Sequence, residues 1–103
     1  MAPELHGIDI PRARLSHFCA QNHIRKLALF GSILTDRFRS SSDVDVLVEF
    51  EQGKVPGFLG IAQMELDLSG MIGRKVDLRT PAELSRYFRD EVTRSALVQY
   101  ERT

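Results

Sequence analysis

Residues 43–50, Asp-Val-Asp-Val-Leu-Val-Glu-Phe, constrain this chain more than any other stretch. Alternation sends Val44, Val46, Val48 and Phe50 to one side of an extended strand, and Asp43, Asp45, Leu47 and Glu49 to the other. A chain carrying such a segment must build a sheet with one oily face and one polar face. Two carboxylates one residue apart on the same side repel, and each resists losing water. Something outside the fold should offset that cost.

The flanking segments supply the layers. A helix opens at Pro11, with Leu15, Phe18, Cys19 and Asn22 at helical spacing. Residues 25–30 read as a short buried strand, and glycines and a proline mark residues 51–57 as a loop. A second helix runs from Phe58 to near Gly73, with Ile61, Met64, Leu68 and Met71 along one stripe. Leu59, Ala62 and Leu66 form a further stripe, wider than a thin sheet needs, which points to a protein interface. Residues 74–80 give a third strand. Thr80 as N-cap, Pro81 and a capping-box Glu83 then start an amphipathic helix through Leu84, Phe88, Val92 and Ala96, with a break near Ser85. The order α-β-β-α-β-α predicts an α/β (α+β) fold, a small mixed sheet covered by helices. With 103 residues, a single domain over 1–103 is expected.

Composition narrows the function classes. Basic and acidic residues balance at 14 each, so bulk attraction to nucleic acid or to membrane is not indicated. A lone cysteine, Cys19, cannot form an internal disulfide and fits a reducing cytosol. No segment has signal-peptide or membrane-spanning character, so the expected location is the cytoplasm. His17 and His23 have no metal-ligand spacing with Cys19.

The third strand repeats the two-faced pattern, with Val76 and Leu78 on one side and Lys75, Asp77 and Arg79 on the other. If both strands bury their aliphatic side, Asp77 joins Asp43 and Asp45 on the open face. Three such carboxylates call for a hard divalent cation, Mg²⁺ above all, and sites of this kind also take phosphate oxygens. Gly31 and Ser32 sit where an apolar strand meets a polar turn, a place where backbone amides and a hydroxyl can approach a phosphate. Neither a P-loop nor a dinucleotide fingerprint occurs.

Gly31-Ser32, ten residues, Asp43-Val44-Asp45 and a later Asp77 resemble the nucleotidyltransferase superfamily of the DNA polymerase β type. The small size and the stretches "LALFGS", "DVDVLVEF" and "GRKVDLRTPAEL" are similar to its minimal nucleotidyltransferase (MNT) antitoxin group. The resemblance implies binding of ATP and two Mg²⁺ ions, and transfer of AMP to a tyrosine of a HEPN-type RNase toxin partner in a hetero-oligomer. Carried over, Gly31 and Ser32 hold the triphosphate, and Asp43 and Asp45 ligate both metals. Asp77 completes the metal that activates the acceptor and assists its deprotonation. Where many members carry arginine four residues after the glycine, this chain has Thr35, leaving Arg37 or Arg39 to supply the positive charge. An antitoxin that acts by contact alone, with a weak or idle nucleotide site, is the alternative reading.

Overall fold

A computed structural model of the chain describes residues 5–102. The elements run α1 (Arg12–Gln21), β1 (Ile24–Phe30), a 3-10 turn (Gly31–Leu34), β2 (Val44–Phe50) and α2 (Phe58–Ile72). They continue with β3 (Val76–Arg79), a second 3-10 turn (Pro81–Glu83), α3 (Arg86–Ser95) and β4 (Leu97–Glu101). The four strands form one sheet in the order β3-β2-β1-β4. β1 is antiparallel to β2 and to β4, whereas β2 and β3 run parallel, so α2 must cross over between them. The expected α/β fold, a small mixed sheet covered by helices, is the fold observed.

The oily face of β2 follows its alternation. Val44, Val46 and Val48 are enclosed with Leu27 and Leu29 of β1 and with Val76 and Leu78 of β3. α1 lays Leu15, Phe18 and Cys19 on this layer, and α2 adds Met64, Leu68 and Ile72. α1 ends at Asn22, whose side-chain Nδ2 donates to the Phe18 carbonyl at 2.8 Å. α2 ends at Gly73, which takes the left-handed conformation (φ 81°) and donates its N–H to Ser69 O at 2.9 Å. No helix among the described residues is long and apolar enough to cross a membrane.

β3 is an edge strand, but two of its N–H groups are engaged by α2. Val76 N–H donates to Ser69 Oγ at 2.9 Å, and Leu78 N–H donates to Glu65 Oε2 at 2.8 Å. Side chains of the crossover helix thus hold donors that an added strand would need.

The C-terminal segment departs from the expected amphipathic helix at both of its ends. Thr80 N–H donates to Glu83 Oε1 at 2.9 Å, and this capping box closes only the second 3-10 turn. Ser85 then caps α3 by accepting from Tyr87 N–H at 3.3 Å, so the expected break near Ser85 is real. Ala96 leaves the helix with ψ 140°, and the residues after it pair with β1 as β4. Pairing with β1, together with the packing of Leu97 and Tyr100 on the core, overrides the helical pattern. α3 buries none of its residues outright. With the turn before it, it lies over the second face of the sheet, where Ala28 and Leu47 are only 1% and 4% exposed.

Candidate active site

Register brings the acidic residues together. β2 begins at Val44, whose N–H donates to Lys75 O at 2.8 Å, and Asp43 stands immediately before it. In the parallel pair, Asp45 lies directly beside Asp77. In the antiparallel pair, Asp45 lies opposite Phe30, the last residue before Gly31. All three carboxylates therefore belong to the second face of the sheet or its approach, at the end where β1 turns away.

Burial pushes the Asp45 carboxyl above the usual carboxylate range; Asp77 and then Asp43 push it further, and Arg79 pulls the other way. The neighbours also carry counter-charges of their own. Arg79 Nη1 lies 3.0 Å from Asp77 Oδ1, and Lys75 Nζ lies 3.8 Å from Asp43 Oδ2. Among the described residues, no three acidic, histidine or cysteine side chains are gathered closely enough to hold a metal ion. As a donor set the trio suits a hard cation: all its ligand atoms are carboxylate oxygens, and their mutual repulsion is felt at Asp45. Gathering them around one ion requires Asp43 and Asp77 to turn from Lys75 and Arg79.

Gly31 is placed by this cluster as much as by any ligand. Its φ is +79°, and a Cβ there would overlap Asp45 Oδ2 and stand 3.2 Å from Asp45 Cγ. Only glycine combines the left-handed backbone with room for the Asp45 carboxylate. Ser32 follows in the 3-10 turn, where its carbonyl accepts from both Thr35 N–H and Thr35 Oγ1–H at 2.9 Å. Thr35 Oγ1 also accepts from Arg37 N–H at 3.2 Å. Thr35 thus spends its side chain on closing the turn.

The loop leading to Asp43 is held by Arg74. Arg74 Nη2 donates to the carbonyls of Ser42 at 2.7 Å, Arg39 at 2.8 Å and Ser40 at 3.2 Å. Its guanidinium also lies 4.6 Å from the ring centroid of Phe38, which is buried in the core. Arg39 N–H donates to Ser42 Oγ at 2.9 Å, so the serine run is a bonded turn. Beyond Ser32, a cleft of 920 Å³ opens between the first 3-10 turn and α3, walled by Phe30, Leu34, Leu84, Phe88 and Val92.

Comparisons with known proteins identify the family and the fold. The nucleotidyltransferase domain family matches residues 12–99. A protein of Methanocaldococcus jannaschii assigned as a protein adenylyltransferase is 27% identical over 74 residues, 72% of this chain and 77% of its own. A solved structure assigned as a minimal nucleotidyltransferase is 32% identical with a TM-score of 0.68, covering 84% of this chain and 86% of that one. A complex of tri-AMPylated Shewanella oneidensis HEPN toxin with MNT antitoxin matches with a TM-score of 0.62 and 16% identity. That match covers 87% of this chain and 69% of the other, and at such identity it is the fold that is shared. The family match spans the turn at Gly31, both carboxylate strands and α3, and the chain belongs to the nucleotidyltransferase domain family, as an enzyme of its minimal form.

Proposed function

We propose that this single-domain protein is a cytoplasmic, Mg²⁺-dependent antitoxin that moves AMP from ATP onto a tyrosine of a HEPN-type RNase toxin. The observation that carries this reading is the packing of Gly31 against Asp45, with Asp45 abreast of Asp77. It sets a phosphate-approach turn against a pair of neighbouring aspartates, as nucleotidyl transfer requires. The solved toxin complex cited above supports the choice of partner. So does the outer stripe of α2, where Leu59 and Leu66 are 80% and 68% exposed, beside Phe58 at 85%.

In this reading Asp43, Asp45 and Asp77 hold the metal. When bound, Mg²⁺ supplies neutralisation of the α-phosphate charge and acidification of the acceptor hydroxyl. Gly31 and Ser32 hold the phosphates through backbone N–H groups and the serine hydroxyl. Asp77 takes the tyrosine proton as the tyrosine oxygen bonds to the α-phosphorus, and the bond to pyrophosphate breaks.

Asp45→Asn provides the test. Transfer of label from ATP to the co-expressed partner should fall by about a hundredfold or more. The melting temperature of the free protein should stay level or rise, since one repelling charge is gone. A contact-only antitoxin is the second reading, favoured by the Asp43–Lys75 and Asp77–Arg79 pairs, which neutralise two carboxylates internally. Full neutralisation of the toxin by Asp45→Asn without label transfer would establish that reading instead.

A further inference from the structure

We propose that Arg37, rather than Arg39, grips the terminal phosphates of the nucleotide. The proposal rests on the ATP-dependent reading above.

A triphosphate held beside three carboxylates needs cations from the protein, and most nearby ones are committed. Arg39 Nη1 donates to Asp36 O at 2.9 Å. Arg74 clamps the loop carbonyls. Lys75 and Arg79 face Asp43 and Asp77. Arg89 donates to Pro81 O at 2.8 Å and to Leu84 O at 3.0 Å. Arg37 engages only its backbone N–H, with Thr35 Oγ1, and its side chain has no partner among the described residues. It lines the cleft together with Gly31 and Ser32 and is the one basic residue there, beside Glu91 as the one acidic residue.

Strand order gives the ligand a direction. Asp77 stands on β3, Asp45 on β2, Gly31 and Ser32 at the end of β1, and the cleft continues to Leu97 at the start of β4. The α-phosphorus must lie by the carboxylates, where the acceptor oxygen attacks. The β- and γ-phosphates then run toward Ser32, and the γ-phosphate arrives where Arg37 stands. With Thr35 closing the turn, Arg37 is the residue free to supply a planar, two-pronged donor.

Binding of a non-hydrolysable imido analogue of ATP in Mg²⁺, and of AMP, tests this. Arg37→Ala should weaken the analogue about tenfold or more while leaving AMP unaffected. Arg37→Lys, which keeps the charge without the fork, should fall between. Arg37 is exposed, so the melting temperature should hold, and Arg37→Lys keeps the comparison decisive if it does not. Wild-type binding of the analogue with no loss in Arg37→Ala overturns the assignment. Equal losses for analogue and AMP overturn it as well, as does a loss that appears in Arg39→Ala instead. A wild-type protein that binds neither ligand overturns the ATP reading and this proposal with it.

Discussion

A carboxylate raised by its surroundings leaves a signature in stability. The folded state holds the Asp45 proton more tightly than the unfolded chain does, so ionised Asp45 costs stability at neutral pH. That cost shrinks as pH falls through the raised value and is gone below the ordinary carboxylate range. Asp45→Asn should therefore exceed wild type in urea stability at pH 7, and the gap should close on acidification toward pH ~4. A gap independent of pH would show that burial and repulsion at Asp45 are not felt. Gly31→Ala works in the opposite sense. A left-handed alanine backbone plus overlap with the Asp45 carboxylate should cost about 1–3 kcal/mol in denaturant titration, and should displace Asp45 enough to reduce label transfer.

Elements here are secured by side chains reaching across long stretches of chain. Arg74 ties the 36–42 loop from 32 to 35 residues away, so Arg74→Ala should release three carbonyls and the Phe38 contact together. Faster proteolysis within that loop, with a loss of about 1–3 kcal/mol, is the expected outcome. The edge of β3 depends on Glu65 in the same way. Glu65→Ala strips the Leu78 N–H of its partner, costing about 1–3 kcal/mol, and exposes strand donors to other chains. Light scattering on heating should then rise earlier than in wild type. These bonds also mark the limit of what local pattern carries. Alternation over 43–50 is a period-two signal that any strand with one oily face must show, so the faces of β2 and the side of Asp77 were readable. The ending Leu-Val-Gln-Tyr-Glu becomes β4 only because β1 offers an edge, and that edge is nowhere in the local sequence. The counter-ions of Asp43 and Asp77 were equally hidden, since alternation puts Lys75 and Arg79 on the polar side of β3 without saying which carboxylate each meets.

Across the whole molecule, packing is uneven. The layer between α1, α2 and the sheet is tight, whereas α3 covers the second face with Tyr87 and Phe88 left 81% and 61% exposed. Cys19 sits in the tight layer, fully buried, and burial pushes its thiol up to about 12. It should resist alkylation in the native protein and react only on global unfolding, so its labelling rate in dilute denaturant should track the main transition. Labelling well before that transition would show that the α1 layer opens on its own. The outer stripe of α2 makes a separate claim. Leu59→Asp should leave melting unchanged yet abolish co-purification with a toxin partner, if that stripe is where the partner seats.

The contact between Gly31 and Asp45 joins two positions far apart in sequence, so their histories cannot be independent. While the carboxylate stands at 45, every side chain at 31 meets it, and substitutions at 31 are filtered by the occupant of 45. Remove the carboxylate and the overlap vanishes, but the left-handed backbone remains (φ +79°), which asparagine tolerates far better than a branched residue. Inheritance in lineages that abandon the chemistry should therefore be ordered: Asp45 drifts first, and Gly31 follows only afterwards, toward asparagine. Saturation mutagenesis in wild-type and Asp45→Ala backgrounds would expose that order, since substitutions at 31 should be tolerated more widely in the second.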